Sequence, residues 1–437
     1  MRLINRFDRD VTYPAVILPV REISAFQKAF YNNLIQVPKL KTVLAIEGSQ
    51  DKKKVLIARK SEAIDKYVNE KEYEYSEEKV QLTYQNLSMN EVLKELLPPD
   101  VGEVPSGYET VGDVAHMNLM GKLFDHRYVI GQVVLDKNPS LRTVVTKIGQ
   151  IESTYRFYDL ECIAGDSSTY ETIVLEDKVR YKVDVSKVYW CSKLGHERNR
   201  MIDTILKEGD VLCDMFCGIG PLAVKAAVKK KVKAIANDLN PACFEFLKEN
   251  IRMNKVKNLV VPFNMDAREF VRMAVRKSND PAQKEIPKEM LRFDHCYMNL
   301  PVDAVEFLDA FVGLFNDANY KIWSSNETND QKTFLLPMVH VYGFSYFSDK
   351  DKALAYFVER IGKAMNYPEF SEKDVLHFHN IRDVSPQSHM YGTSFRVPFE
   401  VAFSKVQHEN KSEEESKDQI YDEFEDKSRM KKQKIEE

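Results

Sequence analysis

Between residues 210 and 241, two acids, two glycines and a proline are spaced so that they could hold a nucleoside-bearing cofactor. The apolar run Val211-Leu-Cys213 ends in Asp214, and the turn that follows carries Phe216, Gly218 and Gly220. Pro221 opens the next segment, and a second apolar run, Ala234-Ile-Ala-Asn237, ends in Asp238. Glycine removes the side chain where backbone must approach a ligand or take positive φ. Proline suits the first position of a helix, where no N–H is needed. Asp238 follows Asp214 by 24 residues, the distance of an acid that holds ribose hydroxyls. The pattern predicts a strand, a glycine turn, a helix from Pro221 and a second strand. Such a βαβ unit binds its cofactor at the carboxyl ends of the strands.

The acids decide which cofactor. A dinucleotide fingerprint reads Gly-x-Gly-x-x-Gly or Ala, and Ala223 satisfies its last position. Asp214, however, would face a pyrophosphate badly, whereas a carboxylate suits the sulfonium and ammonium of S-adenosylmethionine. The sequence Asp-x-Phe-x-Gly-x-Gly resembles the first motif of class I methyltransferases, with S-adenosylmethionine as the implied cofactor. A third strand over 259–264 leads to Asp266-Ala267, where the carboxylate could accept from an adenine amino group or cap the helix that starts at Arg268. A fourth, from Phe293, ends in Asn299-Leu300-Pro301. Methyltransferases acting on exocyclic amines of bases often carry Asn/Asp-Pro-Pro-aromatic there. Asn-Leu-Pro points to a different target atom, although the Asn299 carboxamide can still hold a base edge. A plain strand-ending turn is the alternative. Upstream, residues 188–200 pack Tyr189, Trp190, Lys193, Glu197, Arg198 and Arg200 into one stretch. The aromatics could stack on a base, the cations could hold phosphate, and Glu197 could take a proton if its surroundings raise its pKa. A helix start with solvated charges is the simpler reading of the same residues.

The rest of the chain must position these groups. Its 437 residues are enough for two or three domains, with 43% hydrophobic and 30% charged residues as in a soluble globular protein. The net charge of −4 gives no global basic field, so any RNA binding must come from local patches. The six cysteines are scattered; reduced thiols and no metal site are expected. No apolar run reaches membrane-spanning length, and the N-terminus lacks a signal-peptide apolar core, so a cytoplasmic protein with no membrane partner is expected.

Residues 1–100 mix apolar and charged stretches and end in a helix-like segment, 90–97. The breaker-rich stretch 97–107 reads as a linker. Residues 108–185 look β-rich, with extended pieces at 111–117, 128–135, 143–148, 151–158, 173–175 and 182–185, a small α+β module. From 186 to 405 strand and helix alternate: 211–216, 220–230, 232–237, 241–253, 259–264, 268–276, 294–299, 303–315, 333–342 and 351–365. Two late strands follow, 375–380 and 394–403. Alternation implies a mostly parallel sheet with helices on both faces. The polar residues 406–437 are expected to be disordered.

Several linked motifs then resemble one family. They are Val111-Gly-Asp-Val-Ala-His-Met-Asn-Leu119, Val144-Val-Thr-Lys-Ile-Gly149, Tyr155-Arg-Phe157 with Ala164-Gly165, Asn237-Asp-Leu-Asn-Pro241, Asn299-Leu-Pro301, Asn380-Ile-Arg-Asp-Val384 and Met390-Tyr-Gly-Thr-Ser-Phe-Arg-Val-Pro398. Together they look like the archaeal and eukaryotic tRNA (guanine-37-N1)-methyltransferases over residues 108–403. The resemblance implies an α/β class I methyltransferase domain, Rossmann-like, with a mostly parallel sheet and an antiparallel closing hairpin. Two smaller α+β domains would precede it and contact tRNA. It implies 1-methylguanosine as the product, 3′ of the anticodon, the first step toward wybutosine where that pathway exists, and a monomer acting in cytoplasm, nucleus or mitochondrial matrix.

By the same resemblance, Glu197 is the proton acceptor, Arg156 contacts guanine O6, and Asn299 and Pro301 frame the target base. Tyr189 and Lys193 would contact substrate. Arg198, Asp214, Phe216, Gly218, Gly220, Asp238, Leu239, Asp266, Ala267 and Asn299 would surround the cofactor. The family usually has Pro-Arg-Leu where this chain has Ser192-Lys193-Leu194; lysine can meet a phosphate but not as a bidentate fork. Other readings are the related transferase that moves the aminocarboxypropyl group of the same cofactor, a small-molecule methyltransferase, and a non-catalytic RNA-binding protein on this fold.

Overall fold

The computed structural model describes residues 4–148, 159–324, 334–385 and 387–405. They divide into two compact units, residues 1–195 and 196–437. Arg156, the expected extended run 151–158 and the tail 406–437 lie outside the described residues.

In the first unit, strands β1 (Arg9–Pro19), β2 (Val43–Ile46), β3 (Ser49–Leu56) and β4 (Glu74–Leu82) form an antiparallel sheet in the order β2-β3-β1-β4. Helices α1 (Ile23–Ala29) and α2 (Glu62–Glu70) bury Phe26, Ile64 and Val68 with Val16, Leu18 and Val55. Helix α3 (Met89–Leu96) starts at a capping box between Ser88 and Glu91, a sequence signature of a helix start. Its Val92 and Leu93, with Leu97 and the partly buried Val101 and Val104 of the expected linker, share a core with Ile130 and Ile163. Apolar residues inside the breaker-rich stretch thus make it part of a packed core.

That core belongs to a sheet ordered β5-β6-β7-β8, made of Glu109–Val111, Val114–Met117, Thr143–Ile148 and Asp159–Gly165. The expected strand at 128–135 is a helix instead. The short helix α4 (Lys122–Asp125) precedes α5 (Arg127–Lys137). The valines and isoleucine of α5 favour strands in isolation, but Ile130, Val133 and Val134 repeat at helical spacing and are buried on the sheet. Gly131 lets the helix approach closely, since a Cβ there would come within 2.7 Å of Ile163. Strands β9 (Glu171–Glu176) and β10 (Val179–Asp184) form a separate hairpin.

The second unit begins in helix α6 (Gly195–Arg200), which continues into a π-helical turn over Met201–Ile205. Its sheet has seven strands in the order β13-β12-β11-β14-β15-β17-β16. In chain order these are β11 (Val211–Asp214), β12 (Lys233–Asn237), β13 (Val260–Phe263), β14 (His295–Met298), β15 (Met338–Ser345), β16 (Val375–Ser385) and β17 (Ser388–Arg396). The first five run parallel, β17 is antiparallel to β15, and β16 pairs antiparallel with β17. The strand order reverses between β11 and β14, the crevice where open α/β sheets bind ligands.

Helices α7 (Ala223–Lys230), α8 (Pro241–Met253), α9 (Ala267–Lys277), α10 (Tyr320–Trp323) and α11 (Lys350–Ala364) cover the faces, and α12 (Phe399–Ala402) closes the described chain. Three details depart from the sequence reading. Helix α7 begins at Ala223, leaving Pro221 in the turn. The expected helix at 303–315 is a 3-10 run, Ala304–Phe311, followed by another, Leu314–Asp317. The last strand ends at Arg396 rather than 403. Its core residues include Phe395 with Phe293, Phe311, Trp323, Val339 and Phe357.

Candidate functional site

The loop from β11 to α7 is built around two glycines that need positive φ, Gly218 at 54° and Gly220 at 85°. A Cβ on Gly220 would meet Leu247 Cδ1 at 2.5 Å, whereas one on Gly218 would point into open space. Gly220 is therefore a packing requirement, and Gly218 leaves room beside the loop.

Side chains at the ends of the strands tie the loop down. The Gly218 N–H donates to Asp238 Oδ2 at 2.8 Å, and the Asn240 N–H donates to Asp238 Oδ1 at 2.9 Å. Burial pushes the Asp238 carboxyl above its ordinary value against these two donors. Asn237, which sequence reading left out of the site, fastens two neighbouring loops to the end of β12. Its amide donates to the Met215 and Met265 carbonyls at 3.3 and 3.0 Å, and its Oδ1 accepts from the Met265 N–H at 3.1 Å. Its place in Asn237-Asp-Leu-Asn-Pro241 was the available signal.

Asp214 ends β11 fully buried, and its Oδ1 has no hydrogen-bond partner among the described residues. Burial holds its carboxyl well above the usual carboxylate range, partly offset by the Phe216 N–H, while the charge of Asp238 adds to the rise. On the neighbouring strand Asp214 pairs with Tyr297, and Asn299 stands two residues farther on. The Asn299 Oδ1 is also buried and has no hydrogen-bond partner among the described residues. Two orphaned acceptors at one strand switch are costly unless a donor or cation meets them. This pair of acceptors therefore fits a cationic, amino-bearing cofactor.

Phe216 packs edge-on against Phe307 at 5.0 Å, and Leu239 is exposed beside Asp238. Asp266 is the N-cap of α9, with Oδ1 accepting from the Arg268 and Glu269 N–H groups at 2.8 and 3.2 Å. The capping reading of that residue thus describes Oδ1, and Ala267 is buried behind it. The Pro301 carbonyl accepts from the Phe344 N–H at 3.1 Å, which fastens the end of β14 to β15.

Glu197 and Arg198 are both buried in α6 rather than solvated. Arg200 clamps Glu197 through Nη2 to Oε1 at 2.7 Å and Nε to Oε2 at 2.9 Å. The Tyr342 hydroxyl donates to Oε1 at 2.8 Å, and His379 Nε2 lies 2.9 Å from Oε2. Burial alone would raise the Glu197 pKa; hydrogen bonds from His379, Arg200 and Tyr342 outweigh it and bring it down to about 2. This corrects the sequence expectation, in which proton transfer to Glu197 required a raised pKa. Sequence reading missed Tyr342 and His379 altogether.

In the first unit, Tyr189 is exposed, and Lys193 pairs with Glu109. Trp190 packs on Tyr181 at 5.3 Å and donates to Ser192, so its ring serves the local structure.

This strand order, glycine loop and acid pair define a class I methyltransferase fold. A family model described as the TRM5/TYW2 methyltransferase domain matches residues 172–320, and one described as the TYW2 N-terminal domain matches 89–169. A tRNA (guanine(37)-N(1))-methyltransferase of Paramecium tetraurelia is 39% identical over 340 residues, 77% of this chain and 74% of its own. One from Xenopus tropicalis is 36% identical over 423 residues, 93% and 80% of the two chains. The crystal structure of Trm5b from Pyrococcus abyssi is 25% identical with a TM-score of 0.57, covering 88% of this chain and 99% of that one. The chain belongs to the tRNA (guanine(37)-N(1))-methyltransferase family.

Proposed function

We propose that this chain transfers a methyl group from S-adenosylmethionine to N1 of guanosine 37, just 3′ of the anticodon, in tRNA. The observation that carries the reading is the match to relatives of that name along 93% of this chain, joined to the orphaned Asp214 and Asn299 acceptors at the strand switch. Asp214, Asp238, Leu239, Asp266, Ala267 and the loop around Phe216, Gly218 and Gly220 would hold the cofactor, with Arg198 and Asn299 beside it. Bound there, the sulfonium supplies an electrophilic methyl carbon.

The chain's own residues have two tasks. Guanine N1 carries a proton at neutral pH and is not a nucleophile until that proton leaves. The Glu197 carboxylate, buried in α6, would take that proton. Charge released toward O6 would be met by Arg156, a donor that acts as an oxyanion hole does. Asn299 and Pro301 would frame the base, which must leave the stack to be reached. Tyr189 and Lys193 would hold the surrounding RNA, and residues 1–100 and 108–185 would carry the remaining tRNA contacts. A monomer working in the cytoplasm completes the proposal; no helix among the described residues is long and apolar enough to cross a membrane.

Radiolabelled methyl transfer to a tRNA transcript with guanosine 37, against one with adenosine there, tests the reading. Label on the first alone is expected, and equal or absent label on both would refute it. The match of residues 89–169 to a TYW2 N-terminal domain favours a second reading, aminocarboxypropyl transfer. Mass spectrometry of the product tRNA separates the two by the mass added.

A further inference from the structure

We propose that Tyr346 and Phe347, with Val302, form a ledge on which a nucleobase flanking guanosine 37 stacks. This rests on the methyl transfer proposed above and names a further binding site for its RNA. Val302, Tyr346 and Phe347 are all exposed, Tyr346 by 63%, although the backbone that carries them is fastened on every side. Single exposed apolar side chains are ordinary, but a cluster of them on a fixed backbone marks a binding surface.

Two links place these side chains together and beside Asn299. The first runs through the sheet. Strands β14 and β15 are parallel, with Met298 opposite Val341. Three residues on along each chain, the Pro301 carbonyl accepts from the Phe344 N–H at 3.1 Å. The same register therefore continues past the end of β14, and both chains leave the sheet at the carboxyl edge where Asp214 and Asn299 stand. Val302 follows on one chain and Tyr346 and Phe347 on the other. The second link is α11. Arg360 donates through Nη2 to the Val302 carbonyl at 2.7 Å, and Tyr356, one turn earlier on the helix, packs edge-on against Phe347 at 6.2 Å. Partial burial and the neighbouring Tyr356 raise the pKa of Tyr346, so its phenol stays neutral.

The ledge is held still. The Phe347 N–H donates to Ser345 Oγ at 3.0 Å, and the buried Tyr391 hydroxyl donates to the Phe347 carbonyl at 3.3 Å. Arg360 is itself clamped on Glu306, at 2.8 and 2.7 Å to the two carboxylate oxygens. A fixed aromatic ring offers its face to any base and loses little freedom on binding, while the tyrosine hydroxyl stays in water.

The occupant follows from the geometry of base extrusion. In the proposed site Asn299 and Pro301 frame the guanine, which has left its stack. Each flanking base is joined to it by one phosphodiester link and so must stand close to the turn that Asn299 begins. Each has also lost a stacking partner, and aromatic side chains replace such partners for splayed-out bases.

Steady-state methylation by the full chain tests the ledge. Tyr346→Ala should raise KM for the guanosine 37 transcript about 5- to 100-fold, with kcat within about twofold and S-adenosylmethionine affinity by calorimetry unchanged. Tyr346→Phe should behave as wild type, because stacking needs the ring and not the hydroxyl. Transcripts with an abasic nucleotide at position 36 or 38 identify the base. One of them should raise the wild-type KM by a similar factor and leave Tyr346→Ala no worse than it already is. A wild-type KM in Tyr346→Ala, a Phe variant as weak as the Ala variant, or abasic losses that add to the substitution at both positions would overturn the ledge alone. So would a wild-type chain that sediments as a dimer where Tyr346→Ala is a monomer, since the ledge would then be a contact between copies. Failure of the wild-type chain to methylate the transcript would instead overturn the function on which it rests.

Discussion

The backbone N–H of Gly218 donates to Asp238 Oδ2 at 2.8 Å, so the acid at the tip of β12 holds the glycine loop that follows β11. Asp238 anchors the loop and, in the proposed cofactor site, would also accept from the ribose, so one substitution should disturb both. Asp238→Ala should weaken S-adenosylmethionine binding by about 10- to 100-fold, the range for losing hydrogen bonds to a charged group. It should also speed amide exchange at Gly218. Unchanged affinity by calorimetry would remove Asp238 from the cofactor site.

If the cofactor sits against Asp214 as proposed, its binding should be linked to loss of a proton from that residue. Its folded pKa is raised, so its contribution to stability is present below the ordinary value of 3.8 and is lost as pH rises through the folded pKa. The free protein therefore tends to keep a proton there, and a cationic ligand should expel it. Apparent affinity for S-adenosylmethionine should climb with pH until Asp214 has titrated in the free protein, then level off. Calorimetry in buffers of different ionisation enthalpy should show proton release in the wild type and none in Asp214→Asn. A binding heat that does not depend on the buffer would contradict the assignment.

The two loop glycines should fail in different ways. At Gly220 an added Cβ meets Leu247 and Val224 as well as an unfavourable φ, and Gly220→Ala should destabilise the fold by about 3 kcal/mol. At Gly218 the space is open and only φ is strained, so Gly218→Ala should cost about 1 kcal/mol. Its larger effect should be on cofactor affinity, because the methyl would occupy the room beside the loop. Denaturant titration and calorimetry on both variants separate the effects; equal losses of stability would contradict the packing argument.

What could be read from the sequence followed from locality. Asp214, Gly218, Gly220 and Asp238 fall within 25 residues, and each acts through its own turn or strand end, so spacing alone predicts the βαβ unit. Helix α5 was misread because its β-branched residues suggest a strand, and the sheet that buries Ile130 and Val134 is assembled from distant segments. Strand β17 was misplaced because it is covered on both faces, with residues from His389 to Phe395 all buried, and so shows no alternation. The partners of Glu197 were invisible for a related reason. Tyr342 and His379 lie 145 and 182 residues away and reach it only through the register of β15, β17 and β16.

The saturated Glu197 should also leave a mark on acid stability. Its folded pKa of about 2 lies below the ordinary 4.5, so its contribution is complete above pH 4.5 and is lost as pH falls toward the folded value. The shift corresponds to about 3 kcal/mol for a carboxylate this deeply buried. Glu197→Gln removes that titration and leaves Arg200 facing a neutral amide in the interior, which is costly near neutral pH. Denaturant unfolding at a series of pH values should show the variant less stable than wild type by about 3 kcal/mol at pH 7, with the gap narrowing below pH 4.5. A gap that stays constant down to pH 3 would mean that the hydrogen bonds from Arg200, Tyr342 and His379 do not hold the ionised carboxylate as their distances indicate.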